Sequence, residues 1–392
     1  MTGTGLPLAG VRVVEMTHMV MGPTCGMILA QLGADVIKVE PRAGDKTRSL
    51  GGMGTSFFPL FNRGKRSVVL DFAKAEDRET MDRLLASADV FLENFRDGQL
   101  EKQGLGANEL RRKYPHLIVA GHKGFLSGPY EHRPALDEVV QMMSGLAAMT
   151  GTSEKPQRVG SSANDIMGGM FGVISILAAL YQKRSGASGA DIRIGLFENC
   201  LFLVAQHMVE YEMTGVKPRS MPEREHAWPI YDIFETAGGE RIFIGVVTEG
   251  HWQSFCREFC LSEFLDDPTL RTTTDRILAR SRIIPRVAEV IKGWNATNLS
   301  VKLDRLNICF SPIYRPEDLF GDPHVLRPGG LVNNVNANGE AFRVPALPIE
   351  WNGASIGEGL RVPALGADTS AVRAELDGQD FSPTGKTAVR LA

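Results

Sequence analysis

Residues 10–40 read GVRVVEMTHMVMGPTCGMILAQLGADVIKVE, and this stretch decides the fold. Gly10 to Glu15 is a β-branched run opened by glycine, which predicts a strand. MTHMVMGP follows as a loop. Thr24 to Leu32 carries apolar residues at helical spacing and stops at Gly33, and Ala34 to Glu40 is a second β-branched run. Strand, helix and strand within about 30 residues make a βαβ unit, whose strands lie parallel with a right-handed crossover. Working outward, the pattern recurs. Ser67 to Asp71 reads as a strand, Glu76 to Ala86 as a helix, and Ala88 to Glu93, His116 to Gly121 and Asp191 to Ile194 as further strands. The expectation is an α/β protein whose large domain is an open parallel Rossmann-like sheet. A dinucleotide site is disfavoured, because His18, Met19, Val20 and Met21 stand where a G-x-G-x-x-G loop needs glycine.

With 392 residues the chain exceeds what one core usually serves, which predicts a second domain. Val216 to Ala227 is polar and proline-bearing, so it reads as a linker or active-site loop. Ile230 to Val247 shows two strands around Ala237-Gly238-Gly239, helical segments fill His251 to Leu306, and Asn338-Gly339 marks a hairpin turn in an otherwise irregular stretch from Pro312. Leu365 to Leu376 reads as a closing helix. Lys and Arg number 43 against 46 Asp and Glu, and no basic run appears, so nucleic acid is not an expected partner. The five cysteines lack metal-type pairing, with Cys256 and Cys260 spaced as one helix face, and no metal site is expected. No signal peptide and no apolar run of about 20 residues is evident, so the expected location is cytoplasmic, with no membrane partner.

Gly160 to Arg184, GSSANDIMGGMFGVISILAALYQKR, sets Asn164 and Asp165 in front of a helical run with Met167, Met170, Phe171, Ile174, Leu177, Leu180 and Tyr181 at helical spacing. Asp165 reads either as an N-cap or as a reactive carboxylate. The two are compatible, because a helix N-terminus favours the ionised form, which alone is nucleophilic. Gly168, Gly169 and Gly172 each cost about 0.5–1 kcal/mol in a helix, so something must approach the backbone closely, a ligand or another helix.

Several blocks resemble one family, the class III CoA-transferases, which include formyl-CoA transferase and carnitine-CoA transferase. They are LAGVRVVEMTHMVMGP, GADVIKVEPRAGDKTR, FNRGKRSVVLD, ADVFLENFRDGQLEKQG, VVQMMSGLAAMTG, ANDIMGG with ILAALYQKRSGASGADIRIGLFEN, DPHVLRPGG and LGADTSAV, in the family's order. The resemblance implies a nucleophilic aspartate at Asp165, which forms a mixed anhydride and then an aspartyl-CoA thioester. It implies CoA contacts at His18, Met19, Val20 and Met21, at Arg42, Leu70, Phe72 and Ala73, and at Asn94, Phe95, Arg96, Lys102 and Arg133. It also implies no permanently bound cofactor, coenzyme A thioesters as substrates, and an interlocked-ring homodimer. The expected division is a large domain of residues 1–195 and 330–392, a linker helix and loop at 196–228, and a small α+β domain at 229–329 that closes over the neighbouring subunit's CoA.

Three departures narrow the substrate. Val20 stands where formyl-CoA transferase has glutamine, its tetraglycine loop has no counterpart around Trp228 to Gly245, and Leu136 replaces a tyrosine. Formyl and oxalyl groups are therefore disfavoured. A second carboxylate would want a cationic partner, for which Arg48, Arg219, Arg224 and His226 are candidates, and on that ground a small dicarboxylate with succinyl-CoA as donor is the expected pair. Asp137 reads as a helix cap or as a group ordering the acyl site. The rival of the same fold, an α-methylacyl-CoA racemase, needs a base where this chain has Leu136 in ALDEVVQMMSG. A non-catalytic acyl-CoA-binding protein is the rival of another class.

Overall fold

The computed structural model describes residues 5–378. These form two compact units, one from the described parts of Met1–Pro222 and Leu326–Ala392 and one from Glu223–Val325. The expected boundaries at 195/196 and 329/330 shift accordingly, and residues 1–4 and 379–392 of the expected large domain lie outside the described residues.

The first unit is built on six parallel strands, β1 (Arg12–Met16), β2 (Asp35–Glu40), β3 (Arg66–Val69), β4 (Val90–Glu93), β5 (Ile118–Lys123) and β6 (Asp191–Gly195). Their spatial order is β3-β2-β1-β4-β5-β6. In register, Val14 pairs with Ile37 on one side and Phe91 on the other. Both sheet faces are covered, which is why the strands bury successive residues on both faces, charged Glu15, Lys38 and Glu40 included, rather than alternating buried with exposed. Val13, Val36, Leu92 and Ile118 point to the face covered by α1 (Met21–Gln31) and α7 (Ala163–Arg184), through Cys25, Leu29, Val173 and Ile176. Their neighbours Val14, Ile37, Phe91 and Val119 point the other way. There they meet α3 (Ala75–Ser87), α4 (Ala107–Lys113) and the closing helix, Thr369–Asp377, through Met81, Leu84, Leu110 and Val372. The short α2 (Phe57–Asn62), α5 (Asp137–Met143) and α6 (Leu146–Thr150) fill the connections, and α8 (Leu196–Thr214) follows β6.

Several boundaries differ from the sequence reading for identifiable reasons. α1 starts at Met21 rather than Thr24, since Pro23 falls in the first turn, where no N–H is required. β5 runs past Gly121 to Lys123 because β6 pairs along that extension, His122 against Ile194 and Lys123 against Gly195. α8, expected as a linker, belongs to the first unit and buries Leu196, Asn199, Cys200 and Val204.

The helical spacing of α7's large apolar residues holds, but Met170, Ile174, Leu177 and Tyr181 are exposed, Tyr181 at 74%. The buried stripe is instead Gly168, Gly169, Gly172, Val173, Ile176 and Ala179. The glycines answer to another helix. A Cβ on Gly169 would meet Thr24 Cβ at 2.7 Å and the Met21 carbonyl oxygen at 2.8 Å, so α1 crosses at a spacing that only glycine permits. Among the described residues α7 is also long and apolar enough to cross a membrane by length and composition, against the expectation of no such run, but its glycine face is packed on α1 and the sheet.

The second unit holds the expected hairpin, β7 (Ile230–Glu235) and β8 (Arg241–Val246), with Gly239 at φ 84° in the turn. A third antiparallel strand, β9 (Cys309–Pro312), adds to β8 at the start of the stretch read as irregular. The helices Glu249–Glu258 and Arg280–Lys292 pack Trp252, Phe255, Ile283 and Val287 against Ile230, Ile242 and Ile244. Cys260, at φ 54°, lies past the end of the first of these helices, so it does not share a helix face with buried Cys256.

Candidate active site

The strand order reverses direction between β1 and β4, and ligands of open parallel sheets bind beyond the carboxyl ends of the strands at such a switch point. Two loops meet there. The His18 N–H donates to Asn94 Oδ1 at 2.9 Å, Asn94 Nδ2 donates to the His18 carbonyl at 2.7 Å, and the His18 and Phe95 rings meet edge to face at 5.5 Å. Met19, between them and α1, sits at φ 65°, a conformation costly for a residue with a Cβ. It persists because buried lysines hold both ends of the loop. Lys38 Nζ donates to the Thr17 carbonyl at 2.6 Å and pairs with Asp45 at 2.9 Å. Lys65 Nζ donates to the Pro23 carbonyl at 3.0 Å and to Glu15 at 2.8 Å.

The first turns of α7 lie across the start of α1. Ile166 packs in the cluster of Val20 and Met27, and a Cβ on Gly168 would strike Met21. Asp165 sits in the first turn of α7 rather than at its cap, which is Ser162. The turn is anchored by buried Asn164, whose Nδ2 donates to the Leu196 carbonyl at 3.2 Å while Asn199 Nδ2 donates to Asn164 Oδ1 at 2.7 Å. Both partners lie in the first turn of α8.

Asp165 itself is half-buried, and among the described residues its carboxylate accepts no hydrogen bond. Burial, and next the Asp137 carboxylate, push its pKa up to about 7, with Arg158 opposing them. The expectation that the helix mouth keeps it fully ionised at neutral pH is therefore corrected: desolvation outweighs the helix end. Asp137, in the first turn of α5, accepts from Gln141 Nε2 at 2.8 Å and from Arg158 at 3.2 Å. Arg158 and Gln141 escaped sequence reasoning. No local pattern marks them, since their importance comes from the meeting of α5 with the segment entering α7.

The remaining candidates divide. Phe95, Arg96 and Arg133 line one cavity of about 170 Å³ beyond β4 and β5, with Arg133 stacked over Tyr130. Lys123, a basic residue at the end of β5, is occupied by Glu93 at 2.7 Å and Asp97 at 3.2 Å. Arg42, exposed, lies 3.8 Å from Asp71 after β3, where Phe72 is half-buried and Ala73 exposed. Lys102 is exposed on a short 3-10 turn. The side chains of Val20, Met21 and Leu70 are in the core, so that only their backbone is available to a ligand. Arg48 forks onto Glu40 with two bonds of 2.7 Å and donates to the Pro363 carbonyl, which leaves it poorly placed to receive an acyl carboxylate. His226 belongs to the second unit, where burial, Arg280 and Arg224 hold its pKa below the usual value against Asp232. Leu136 is 67% exposed, and His122 is buried beneath Gly172 with its pKa lowered by burial to about 4. Among the described residues no cluster of metal-ligating side chains occurs.

The sequence pattern of CoA-transferase family III matches residues 8–369, nearly the whole length. The chain belongs to this family. A succinyl-CoA–D-citramalate CoA-transferase of Chloroflexus aurantiacus is 30% identical, covering 90% of this chain and 92% of its own. A succinate–glutarate CoA-transferase of Agrobacterium fabrum is also 30% identical, covering 95% and 96%. A crystal structure of a CaiB/BaiF family protein from Brucella suis superposes with a TM-score of 0.86 at 32% identity, covering 95% of this chain and all of that one. As a family III CoA-transferase the protein is an enzyme of acyl-CoA metabolism whose substrates are CoA thioesters. The racemase alternative finds no support in these relatives.

Proposed function

We propose that this enzyme moves CoA from succinyl-CoA to a small dicarboxylate, with Asp165 as the nucleophile. The observation that carries the reading is a half-buried carboxylate without a hydrogen-bond partner, beside the loop at the switch point of the sheet. The substrate class rests on the names of the relatives, which act on citramalate and glutarate. The Asp165 carboxylate adds to the thioester carbonyl and expels CoA thiolate, giving a mixed anhydride. The thiolate then attacks the aspartyl carbonyl, releasing succinate and leaving CoA in thioester linkage to Asp165. The acceptor carboxylate attacks that thioester, and the freed thiolate finally attacks the acceptor carbonyl and restores Asp165. N–H groups in the first turn of α7 lack intrahelical acceptors and are suited to stabilise the oxyanions.

CoA would lie along His18–Met21, Asn94 and Phe95, with Arg96 and Arg133 as phosphate partners, and Arg42, Leu70, Phe72, Ala73 and Lys102 at the nucleotide end. Asp137 would order the acyl site. The outward apolar rows of α7 and α8, with Tyr181 and Phe202 at 74% and 67% exposure, support a homodimer in which a second copy covers them. The test is intact mass after incubation with succinyl-CoA, with hydroxylamine to trap acyl-aspartate, on wild type and Asp165→Ala. An adduct or hydroxamate at Asp165, absent in the variant, is expected. Tight CoA binding with no adduct from any acyl donor would sink the proposal in favour of a binding protein.

A further inference from the structure

The segment that enters α7 is tied to α5 and α6. The Gln157 N–H donates to the Ala147 carbonyl at 3.0 Å, and the guanidinium of Arg158 makes the largest set of bonds. Arg158 donates through Nη1 to Glu138 at 3.2 Å, through Nη2 to Asp137 at 3.2 Å and to the Ser161 carbonyl at 3.1 Å, and through Nε to the Val159 carbonyl at 3.2 Å. Gln141, fully buried on α5, completes the join by accepting the Val159 N–H at 3.0 Å. Ser161 is followed directly by the cap and first turn that carry Asp165.

We infer that Arg158 is the positioning residue of Asp165: by spanning the two α5 acids and the Ser161 carbonyl it fixes the entry to α7 and places a cation against the Asp137 charge. This rests on Asp165 as nucleophile. The charges acting on Asp165 are Asp137 from α5 and Arg158 from the entry segment. Cys200 of α8, its thiol pushed by burial up to about 11, feels the Asp137 and Asp165 charges, while Met21, Thr24 and buried Cys25 of α1 and His122 of β5, its pKa lowered by burial to about 4, pack against Gly168, Gly169 and Gly172 further along α7. Arg158 is therefore the cation that opposes the Asp137 charge at Asp165. Neutralising it leaves Asp137 to repel the ionised form of Asp165 unopposed.

The experiment is a titration of the full-length protein labelled with 13C at aspartate carboxyls, the Asp165 signal being assigned by its loss in Asp165→Asn. In Arg158→Gln the Asp165 midpoint should rise by about one pH unit, cutting its ionised fraction at pH 7 roughly fivefold. The rate of aspartyl-thioester formation should fall by the same factor with the KM for acyl-CoA unchanged. Arg158→Lys, which keeps the charge, should return the midpoint toward wild type. If Arg158→Gln fails to fold, Arg158→Met retains the stem and serves instead. An unmoved midpoint overturns the inference, as does an equal shift in the Lys and Gln variants accompanied by an equal loss of thermal stability. The titration needs no turnover, so absence of a covalent adduct in wild type would defeat the proposed function and leave this readout intact.

Discussion

Two carboxylates on either side of α1 live under opposite rules. Glu15, fully buried, accepts from the Thr17 hydroxyl at 2.6 Å and Lys65 at 2.8 Å and lies 3.5 Å from Lys38. Asp165 is less buried and has no such partners, and its pKa is raised to about 7. Depth alone therefore does not raise a carboxylate's pKa. What matters is whether the protein supplies compensating donors. Glu15 is compensated and serves as scaffold for the loop at residues 17–23, whereas Asp165 accepts no hydrogen bond among the described residues and has only Arg158 opposing the Asp137 charge.

The contrast breaks most readily at Asp165. Asp165→Asn should lower turnover on the order of 10⁴-fold in a chromatographic CoA-transfer assay. It should also stabilise the fold in alkaline solution. A carboxylate whose folded pKa lies above its ordinary value holds its proton more tightly when folded, so stability is lost as the pH rises from about 4 to about 7 and the full penalty stands above that. The Asn variant should be more stable than wild type at pH 8 by up to about 4 kcal/mol, the gap closing toward pH 4. Equal denaturation midpoints at pH 8 would show that Asp165 is compensated after all.

Glu15→Gln should do the reverse, leaving Lys38 and Lys65 without their shared anion at a cost of about 3–5 kcal/mol in urea unfolding. A loss below 1 kcal/mol would remove the scaffold role. A smaller effect sharpens the packing side. Gly172→Ala brings a Cβ to 2.5 Å from His122 Nε2 and 3.0 Å from Cys25 Sγ, and should cost about 1–3 kcal/mol by calorimetry. Least costly to the single chain are Tyr181→Lys and Phe202→Lys, within about 0.5 kcal/mol for exposed positions. If a second copy covers that face, they should turn a dimer into a monomer in sedimentation, and an unchanged sedimentation coefficient would remove the face from the interface.

Much of the fold was legible because strands of a doubly covered parallel sheet are rich in β-branched residues, and GVRVVE and ADVIKVE are such stretches bounded by turns. Asp165 was legible as a polar residue ahead of a helix. The α7 faces were not. Periodicity reports which residues share a stripe, but it cannot say whether the stripe of large residues or the stripe of glycines goes inward. Here the close crossing by α1 selected the glycines. Arg48 failed as an acyl-site candidate for a similar reason, since Glu40, eight positions earlier, takes its fork.

The sequence by itself determined the parallel α/β architecture, the family and the residue at the helix mouth, because these depend on local pattern and on the order of blocks along the chain. Only the tertiary structure decided that Asp165 is desolvated and titrates near neutrality, that Asp137 and Arg158 set its field, and that Lys38 and Lys65 hold the loop beside it. Those are properties of groups brought together from distant positions. Electrostatic interaction and desolvation depend on distance in space and on excluded water, neither of which is written in the spacing of residues along one segment.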